Sequence, residues 1–243
     1  MIVTMKILAI LLISQISFSQ NSFSNTKRMV FPVDKKDQLG EMLLKTGKLE
    51  SNRHFSVDFK KVLNKPIDSV LKALRSAEQR CNNSFKQSRK YSSRNYPCKY
   101  HSKNVVEAVK HAIIIPGYSK DDFVQTKFIK KRGDQIVHEL YKFKKKTVQG
   151  KKHYSLWTET LDDDTTKKLT GKDLKLQTAI KISNSEFILK EITPNKTEVT
   201  FMYEMATDHW LVNKKIVAGK VFSDLRESIL ALFSKVEEQA AIL

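Results

Sequence analysis

Side chains that could do acid–base or metal chemistry are few and scattered in this chain of 243 residues. His138, Glu139 and His153 could approach one another on neighbouring strands, and Asp162 to Asp164 place three carboxylates in a row. Such histidines more often face solvent or a sheet, and a metal ion needs further ligands at defined spacing. The chain also has no glycine-rich phosphate loop, no HExxH and no GxSxG pattern. We therefore predict no catalytic centre, no metal site and no cofactor.

The N-terminal segment has the pattern of a secretory signal. One positive charge, Lys6, precedes a short apolar run, and Ser17 and Ser19 fit the small-residue rule for cleavage after Ser19. The run is shorter than the stretch of about 20 apolar residues that a membrane-spanning helix needs. We predict that residues 1–19 are a signal peptide and that the mature protein is exported, to a periplasm or out of the cell.

Export gives a role to the only two cysteines in the sequence, Cys81 and Cys98. An oxidising compartment would join them in a disulfide. The bridge would close a loop of about 17 residues and stabilise the fold by about 3 kcal/mol in the chain-entropy model.

Positive charge is concentrated in the middle of the chain. The formal net charge is +18 at pH 7, and residues 80–152 hold nineteen Lys and Arg against five Asp and Glu. The stretch 82–103 lacks acids and interleaves basic and aromatic residues; its candidate anion-binding residues are Lys86, Arg89, Lys90 and Arg94. Such a field attracts phosphate-rich surfaces, and export favours anionic membrane lipid or lipopolysaccharide over nucleic acid. The alternative is a solvated basic surface without a specific partner.

Hydrophobic patterns predict the elements that would position these residues. Alternating or β-branched stretches between turn residues predict seven strands, at 54–63, 123–131, 135–144, 153–161, 176–183, 186–192 and 197–205. A turn at Asn184-Ser185 separates the fifth from the sixth. Predicted helices are 34–48, which Gly47 would end, a helix from Pro66 to near Cys81, 104–112, and a long helix at 211–239. Residues 20–50 would form an extension and 51–243 one α+β domain.

This order of elements resembles the START-like superfamily, whose helix-grip fold occurs in lipid-transfer domains and polyketide cyclases. Two stretches carry the resemblance: FSVDFKKVLNKPIDSVLKAL, a strand leading into a helix, and EFILKEITPNKTEVTFMYEM, which precedes the long helix VNKKIVAGKVFSDLRESILALFSKVEEQ. The resemblance implies a curved antiparallel sheet gripping a long C-terminal α-helix. It also implies a deep cavity between them for a lipid, sterol or other hydrophobic molecule.

Candidate cavity residues follow from the alternation of the last strand and the small residues of the long helix. Phe201, Tyr203 and Met205 share one strand face. Ala218 and Gly219 are small residues near the start of the long helix, and they would leave room for a ligand. The predicted ligand-binding residues are Tyr141, Trp157, Phe201, Tyr203, Met205, Ala218, Gly219 and Phe222. The alternative is that these residues fill a core that has no cavity.

The sequence thus favours an exported, monomeric carrier or binding protein for a hydrophobic ligand, with a basic surface for anionic head groups or membranes. Two alternatives stay open. One is a surface protein that binds polyanions or lipopolysaccharide without a cavity ligand. The other is a cofactor-free cyclase or hydrolase of the same fold, for which Glu139 and His209 would be the polar groups inside the cavity.

Overall fold

In the part of the chain that the structure describes, nine strands form one antiparallel sheet. The structure is a computed structural model, and it describes residues 29–75, 106–114, 123–130, 134–171, 173, 180–210, 212 and 214–242. The strands are β1 (Val33–Leu39), β2 (Met42–Leu49), β3 (Asn52–Leu63), β4 (Val106–Ile114), β5 (Phe123–Lys130), β6 (Asp134–Val148), β7 (Lys151–Leu161), β8 (Ile180–Thr193) and β9 (Lys196–Thr207). Their order in the sheet is β1-β2-β3-β9-β8-β7-β6-β5-β4. Chain neighbours are therefore sheet neighbours, except for β3 and β4, because β9 pairs with β3 and β4 lies at the far edge.

Helices described alongside the sheet begin where the sequence supplies a suitable first turn. Residues 67–75 form α1 after Pro66, whose missing amide donor is not needed there and whose carbonyl accepts from the Val70 amide at 3.1 Å. Helix α2 (Asp163–Thr170) begins at Asp162, whose carboxylate accepts from the Thr165 amide at 2.6 Å. Helix α3 (Lys215–Ala240) is the predicted long C-terminal helix.

The prediction of a helix at 34–48 is wrong, because this segment is the β1–β2 hairpin. Gly40 makes the tight turn with a φ of 55°. Met42 and Leu44, two residues apart on β2, are both fully buried. The apolar residues of this segment therefore fit the period of a strand as well as that of a helix. Gly47 does not end a helix but lies in β2, where an added Cβ would be 1.7 Å from the Pro32 carbonyl oxygen. Since β2 pairs with β3 along its length, the predicted extension belongs to the main sheet.

Two further predictions are corrected by strand pairing. Residues 106–114, expected within a helix, form β4 at one edge of the sheet and pair with β5; their β-branched residues suit a strand once a partner is present. Asn184 and Ser185, expected as a turn, lie inside the continuous strand β8. The nine described strands thus exceed the seven predicted, while the antiparallel sheet and long C-terminal helix are confirmed.

Helix α3 lies across the sheet in the same sense as β3. Near its start, Phe222 contacts the Lys35 side chain of β1, whose ammonium lies 4.8 Å from the ring centroid. Near its end, Glu237 pairs with Lys61 of β3 at 2.6 Å. Fifteen helical residues from Phe222 to Glu237 span about 22 Å. On the sheet, the levels of Lys35 and Lys61 are six strand residues apart, which is a similar length of about 20 Å. We call the sheet face under α3 the inner face.

The opposite, outer face of β2, β3 and β9 is covered by residues 29–32. The Met29 amide donates to both carboxylate oxygens of Glu204, at 3.1 and 3.2 Å. The ring of Phe31 stacks on His54 at a centroid distance of 5.2 Å. Burial lowers the pKa of His54. The strand β9 is consequently buried on both faces in this region, where Met202 and Glu204 are covered as well as Phe201.

Candidate ligand-binding site beneath the terminal helix

Strand register arranges the inner face in rows that cross the sheet. The apolar row consists of Met42, Phe59, Phe201, Phe187, Leu156 and Phe143. The next row, which we call the hydroxyl row, lies two residues from the apolar row on each strand. It consists of Leu44, Val57, Tyr203, Ser185, Thr158 and Tyr141. The third row consists of Thr46, Phe55, Met205, Ser183, Thr160 and Glu139. From the apolar row to the third row, the inner-face side chains therefore become more polar.

The apolar row is closed by the C-terminal half of α3, and we call this region the closed end. Phe233 of the helix is 3% exposed. Its ring centroid lies 4.6 Å from that of Phe59, 6.2 Å from Phe187 and 6.3 Å from Phe201. Edge-on and tilted rings at these distances pack densely. A ligand has no room here.

A second contact layer fixes α1 to β7 beside the closed end. Asp68 of α1 accepts hydrogen bonds from the Tyr154 hydroxyl at 2.7 Å and from the Lys152 ammonium at 2.5 Å. These bonds hold the pKa of Asp68 below its ordinary value. Burial and the Asp68 carboxylate together raise the pKa of Tyr154 to about 12. The guanidinium of Arg75 lies 4.0 Å from the ring centroid of Phe143, which covers the apolar row from the α1 side.

On β7, β8 and β9, the hydroxyl row and third row are not closed in this way. The residues there that remain partly exposed, which we call the hydroxyl patch, are Thr158, Thr160, Ser183, Ser185, Tyr203 and Met205. Their neighbours in the same rows on either side are buried, among them Val57 and Phe55 on β3 and Tyr141 and Glu139 on β6. This accessible patch on the inner face is bounded by buried residues, and we call the region the open end.

The hydroxyls of the patch are bonded to one another. Thr158 Oγ1 and Ser185 Oγ are 2.6 Å apart, and Ser183 Oγ lies 3.3 Å from the Tyr203 hydroxyl. Backbone pairing of β7 with β8 ends at Thr158 and Ser185. Beyond it, the Ser183 amide donates to Thr160 Oγ1 at 2.7 Å, and Thr160 Oγ1 donates to the Ser183 carbonyl at 2.9 Å. Side chains thus replace the ladder where the two strands separate.

The first turns of α3 share the hydrophobic core with two residues of the open end. Ala218 and Phe222 are buried against the sheet, while Tyr203 and Met205 pack against the same core from the sheet side and stay partly exposed. An added Cβ on Gly219 would meet no atom within 4 Å. The two small residues of the helix therefore differ, because Ala218 is packed and Gly219 borders open space.

Most predicted cavity residues lie at this site, but Trp157 does not. Phe201, Tyr203, Met205 and Tyr141 are on the inner face, and Phe201 belongs to the filled closed end. Trp157 is paired with Lys142 and Glu186, residues that alternate with the inner ones, so it lies on the outer face. The Lys142 ammonium is 5.2 Å from its ring centroid there. Its prediction as a cavity residue is therefore wrong.

The serines and threonines of the patch were not among the predicted ligand-binding residues. Asn184-Ser185 resembles a turn because short polar residues are typical of turns. In the structure Ser185 bonds Thr158, and Asn184 Oδ1 accepts from the Thr160 amide at 3.0 Å. A signal was present, since Thr158, Thr160, Ser183 and Ser185 alternate with period two within strand-like stretches.

Candidate chemical groups remain dispersed. His138 is paired opposite Leu161 and His153 opposite Lys146, which separates them by about 26 Å along β7. Glu139 is buried in the third row, whereas His209 follows the end of β9 and its amide donates to Thr207 Oγ1 at 3.2 Å. Within the described ranges, no three His, Cys, Asp or Glu side chains converge as a metal site would need.

Several sequence predictions fall outside the described residues. They concern the signal segment 1–19, the cysteines Cys81 and Cys98, and the basic candidates Lys86, Arg89, Lys90 and Arg94. Among the helices that the structure does describe, none is long and apolar enough to cross a bilayer.

Comparison with known proteins finds similarity of fold alone. No family model and no curated protein matches the chain. Similar solved structures include the STAR-related lipid transfer protein of Xanthomonas axonopodis, at 14% identity and TM-score 0.46, covering 82% of this chain and 96% of that chain. Human StAR-related lipid transfer protein 5 has 7% identity and TM-score 0.48, covering 97% and 95%. The Zhui aromatase/cyclase of Streptomyces has 12% identity and TM-score 0.40, covering 78% and 94%. Two of these three structures are lipid transfer proteins by name and one is an aromatase/cyclase, the kinds of protein named in the predicted resemblance.

Proposed function

We propose that this protein is an exported, monomeric carrier that holds a hydrophobic ligand at the open end, between the hydroxyl patch and the first turns of α3. The observation that carries the proposal is the local exposure of the patch. Six adjacent inner-face residues on three strands are accessible, while their row neighbours are buried. A Cβ added to Gly219 of α3 would meet no atom within 4 Å, which supports unfilled space beside the helix.

The chemistry of the hydroxyl patch supports a ligand that also carries a hydrogen-bonding oxygen. Thr158 and Ser185 together hold two hydroxyl hydrogens and use one in their mutual bond of 2.6 Å. The other hydrogen is available to an acceptor such as a carbonyl, carboxylate or hydroxyl oxygen. Met205, Phe222 and Ala218 would contact the apolar part of the same molecule. A fatty acid or a sterol has this combination.

Substitution of Ala218 tests the proposal, because its side chain faces the sheet at the open end. Ala218→Trp should abolish uptake of a fluorescent fatty acid or sterol. Because Ala218 itself is buried, we also expect overpacking to cost about 1–3 kcal/mol of stability. Ala231→Trp is the matched control, since Ala231 is exposed on the same helix. Uptake should be unchanged in this control.

A second variant keeps the test independent of folding. In Thr158→Val with Ser185→Ala both partners of one hydrogen bond are replaced together, which is close to neutral for stability. We expect a several-fold loss of affinity for a ligand with an acceptor oxygen. A wild-type protein that takes up no apolar probe, or an Ala218→Trp variant that binds normally, would rule the carrier function out.

Export and the basic surface are part of the proposal. A carrier outside the cytoplasm would exchange its ligand at an anionic membrane or with lipopolysaccharide, to which the positive field of residues 80–152 is suited. We expect Cys81 and Cys98 to be joined in the secreted protein. Thiol counting on denatured, unreduced protein measures this directly, and two reactive thiols would exclude the disulfide.

A further inference from the structure

Two large apolar side chains near the start of α3 are exposed. Trp210 is 64% exposed and Ile216 is 90% exposed. Both belong to a stretch of seven residues at the start of the helix. Trp210 follows Met205 of the open end by five residues, so it lies at most about 18 Å from it along the chain. Large apolar side chains exposed next to a binding site are typical of an interaction surface.

Cationic side chains accompany these apolar residues. The Lys214 ammonium lies 5.0 Å from the ring centroid of Trp210, and Lys220 is exposed one turn after Ile216. Ala218 faces the sheet, and helical geometry places Ile216 and Lys220 about 200° away from it, on the outward side. Lys214 lies one turn before Ala218 with Trp210 beside it, at the N-terminal end of α3, while Ile216 and Lys220 are on the outward side of the same end. We call these four residues, which surround the start of the helix, the docking surface.

The charges along α3 run against the helix dipole. Its N-cap residue is Lys214, its first turn contains no acid, and its last turn contains no base. Glu237 and Glu238 lie near its C-terminus. A helix dipole favours acids at the N-terminus and bases at the C-terminus, so this arrangement weakens the isolated helix. A strongly positive helix start is useful when it faces an anionic partner.

We infer that the docking surface binds an anionic lipid bilayer and brings the open end of the site to the membrane. Tryptophan with a neighbouring lysine suits the boundary between acyl chains and phosphate head groups. The basic charge complements anionic lipid, and Ile216 supplies apolar area that a head-group layer would cover. This inference rests on the proposed carrier function for its purpose, but its physical basis is the surface itself.

Tryptophan fluorescence can report on this surface alone. The chain has two tryptophans, and Trp157 lies on the outer face of the sheet. In a Trp157→Phe background, Trp210 is the only emitter. Titration with phosphatidylcholine vesicles containing phosphatidylglycerol should shift its emission to the blue, and vesicles of phosphatidylcholine alone should shift it much less. Because each lysine near an anionic surface contributes about fivefold to binding, Lys214→Glu with Lys220→Glu should weaken binding at least about 25-fold.

Ile242 provides a matched control at the other end of the same helix. It is 85% exposed, close to the 90% of Ile216, but it follows the acidic residues Glu237 and Glu238. Ile216→Ser should weaken vesicle binding several-fold, whereas Ile242→Ser should leave it unchanged. Equal effects of the two would overturn the inference.

Other outcomes also decide the question. An unchanged Trp210 emission with anionic vesicles at low salt would overturn the inference, and so would a blue shift that depends on protein concentration without lipid, because a second copy would then cover the surface. Uptake of an apolar probe measured without vesicles separates this result from the carrier function. Normal uptake with no vesicle binding would reject the docking surface alone, and vesicle binding with no uptake would reject the carrier alone.

Discussion

The closed end and the open end of the inner face are built on the same strands but by different means. At the closed end, aromatic side chains from β3, β8 and β9 surround Phe233, and the Asp68 carboxylate ties α1 to β7. At the open end, two residues away on the same strands, hydroxyls bond to one another and stay partly exposed. The closed end thus holds the helix in place, and the open end is where we propose the ligand.

The largest expected effect separates the two ends by stability. Phe233→Ala at the closed end should lower the free energy of unfolding by about 3–5 kcal/mol, because it removes a ring with contacts on every side. Met205→Ala at the open end should cost less than about 2 kcal/mol, since Met205 is already partly exposed. Urea unfolding measures both. Equal losses would mean that the open end is packed as tightly as the closed end.

The Tyr154–Asp68 contact sharpens the comparison through pH. Tyr154→Phe should cost about 1 kcal/mol at neutral pH, the typical value of one hydrogen bond. The pKa of Tyr154 is raised to about 12, so the folded state holds this proton more tightly than the unfolded chain. Its contribution is therefore complete below about pH 10, the ordinary tyrosine pKa, and is lost as the pH rises toward 12.

Unfolding measured from pH 8 to 12 should show this alkaline loss of stability in the wild type and a smaller one in Tyr154→Phe.

Asp68→Asn tests how the same contact depends on acid pH, where the expected change in stability has the opposite sign. Because the pKa of Asp68 is lowered by Lys152 and Tyr154, its contribution is present above the ordinary aspartate range and is lost as the pH falls through the folded-state pKa. Identical pH profiles for all three proteins would show that this contact does not stabilise the closed end.

One substitution in α3 should make the protein slightly more stable. Gly219→Ala should raise the free energy of unfolding by about 0.5–1 kcal/mol, because alanine is the better helix former and its methyl group would meet no neighbour. Ala231→Gly, at an exposed site of the same helix, should lower it by a similar amount. Thermal unfolding compares the two. A loss of stability in Gly219→Ala would show that the space beside this residue is filled.

Periodicity within single elements predicted which residues share a face in the last strand and the last helix. Strict alternation predicted that Phe201, Tyr203 and Met205 lie together, and spacing of three and four residues predicted the buried stripe of Ala218 and Phe222; both are confirmed. A single element has one period, and that period is written directly in its side chains. The antiparallel sheet and its terminal helix follow from the order of such elements.

The face of each strand that turns inward, and the bonding partners of its polar residues, depend on contacts between distant parts of the chain. In β7, Trp157 alternates with Tyr154 and Leu156, so the periodicity allows either face to be the inner one; pairing with β6 and β8 places Trp157 outside. Ser185 has the residue type of a turn, but its bond to Thr158 on the neighbouring strand makes it part of the hydroxyl patch. Both outcomes depend on register between strands that are distant in the chain, and register is set by cross-strand partners that no single stretch of sequence contains.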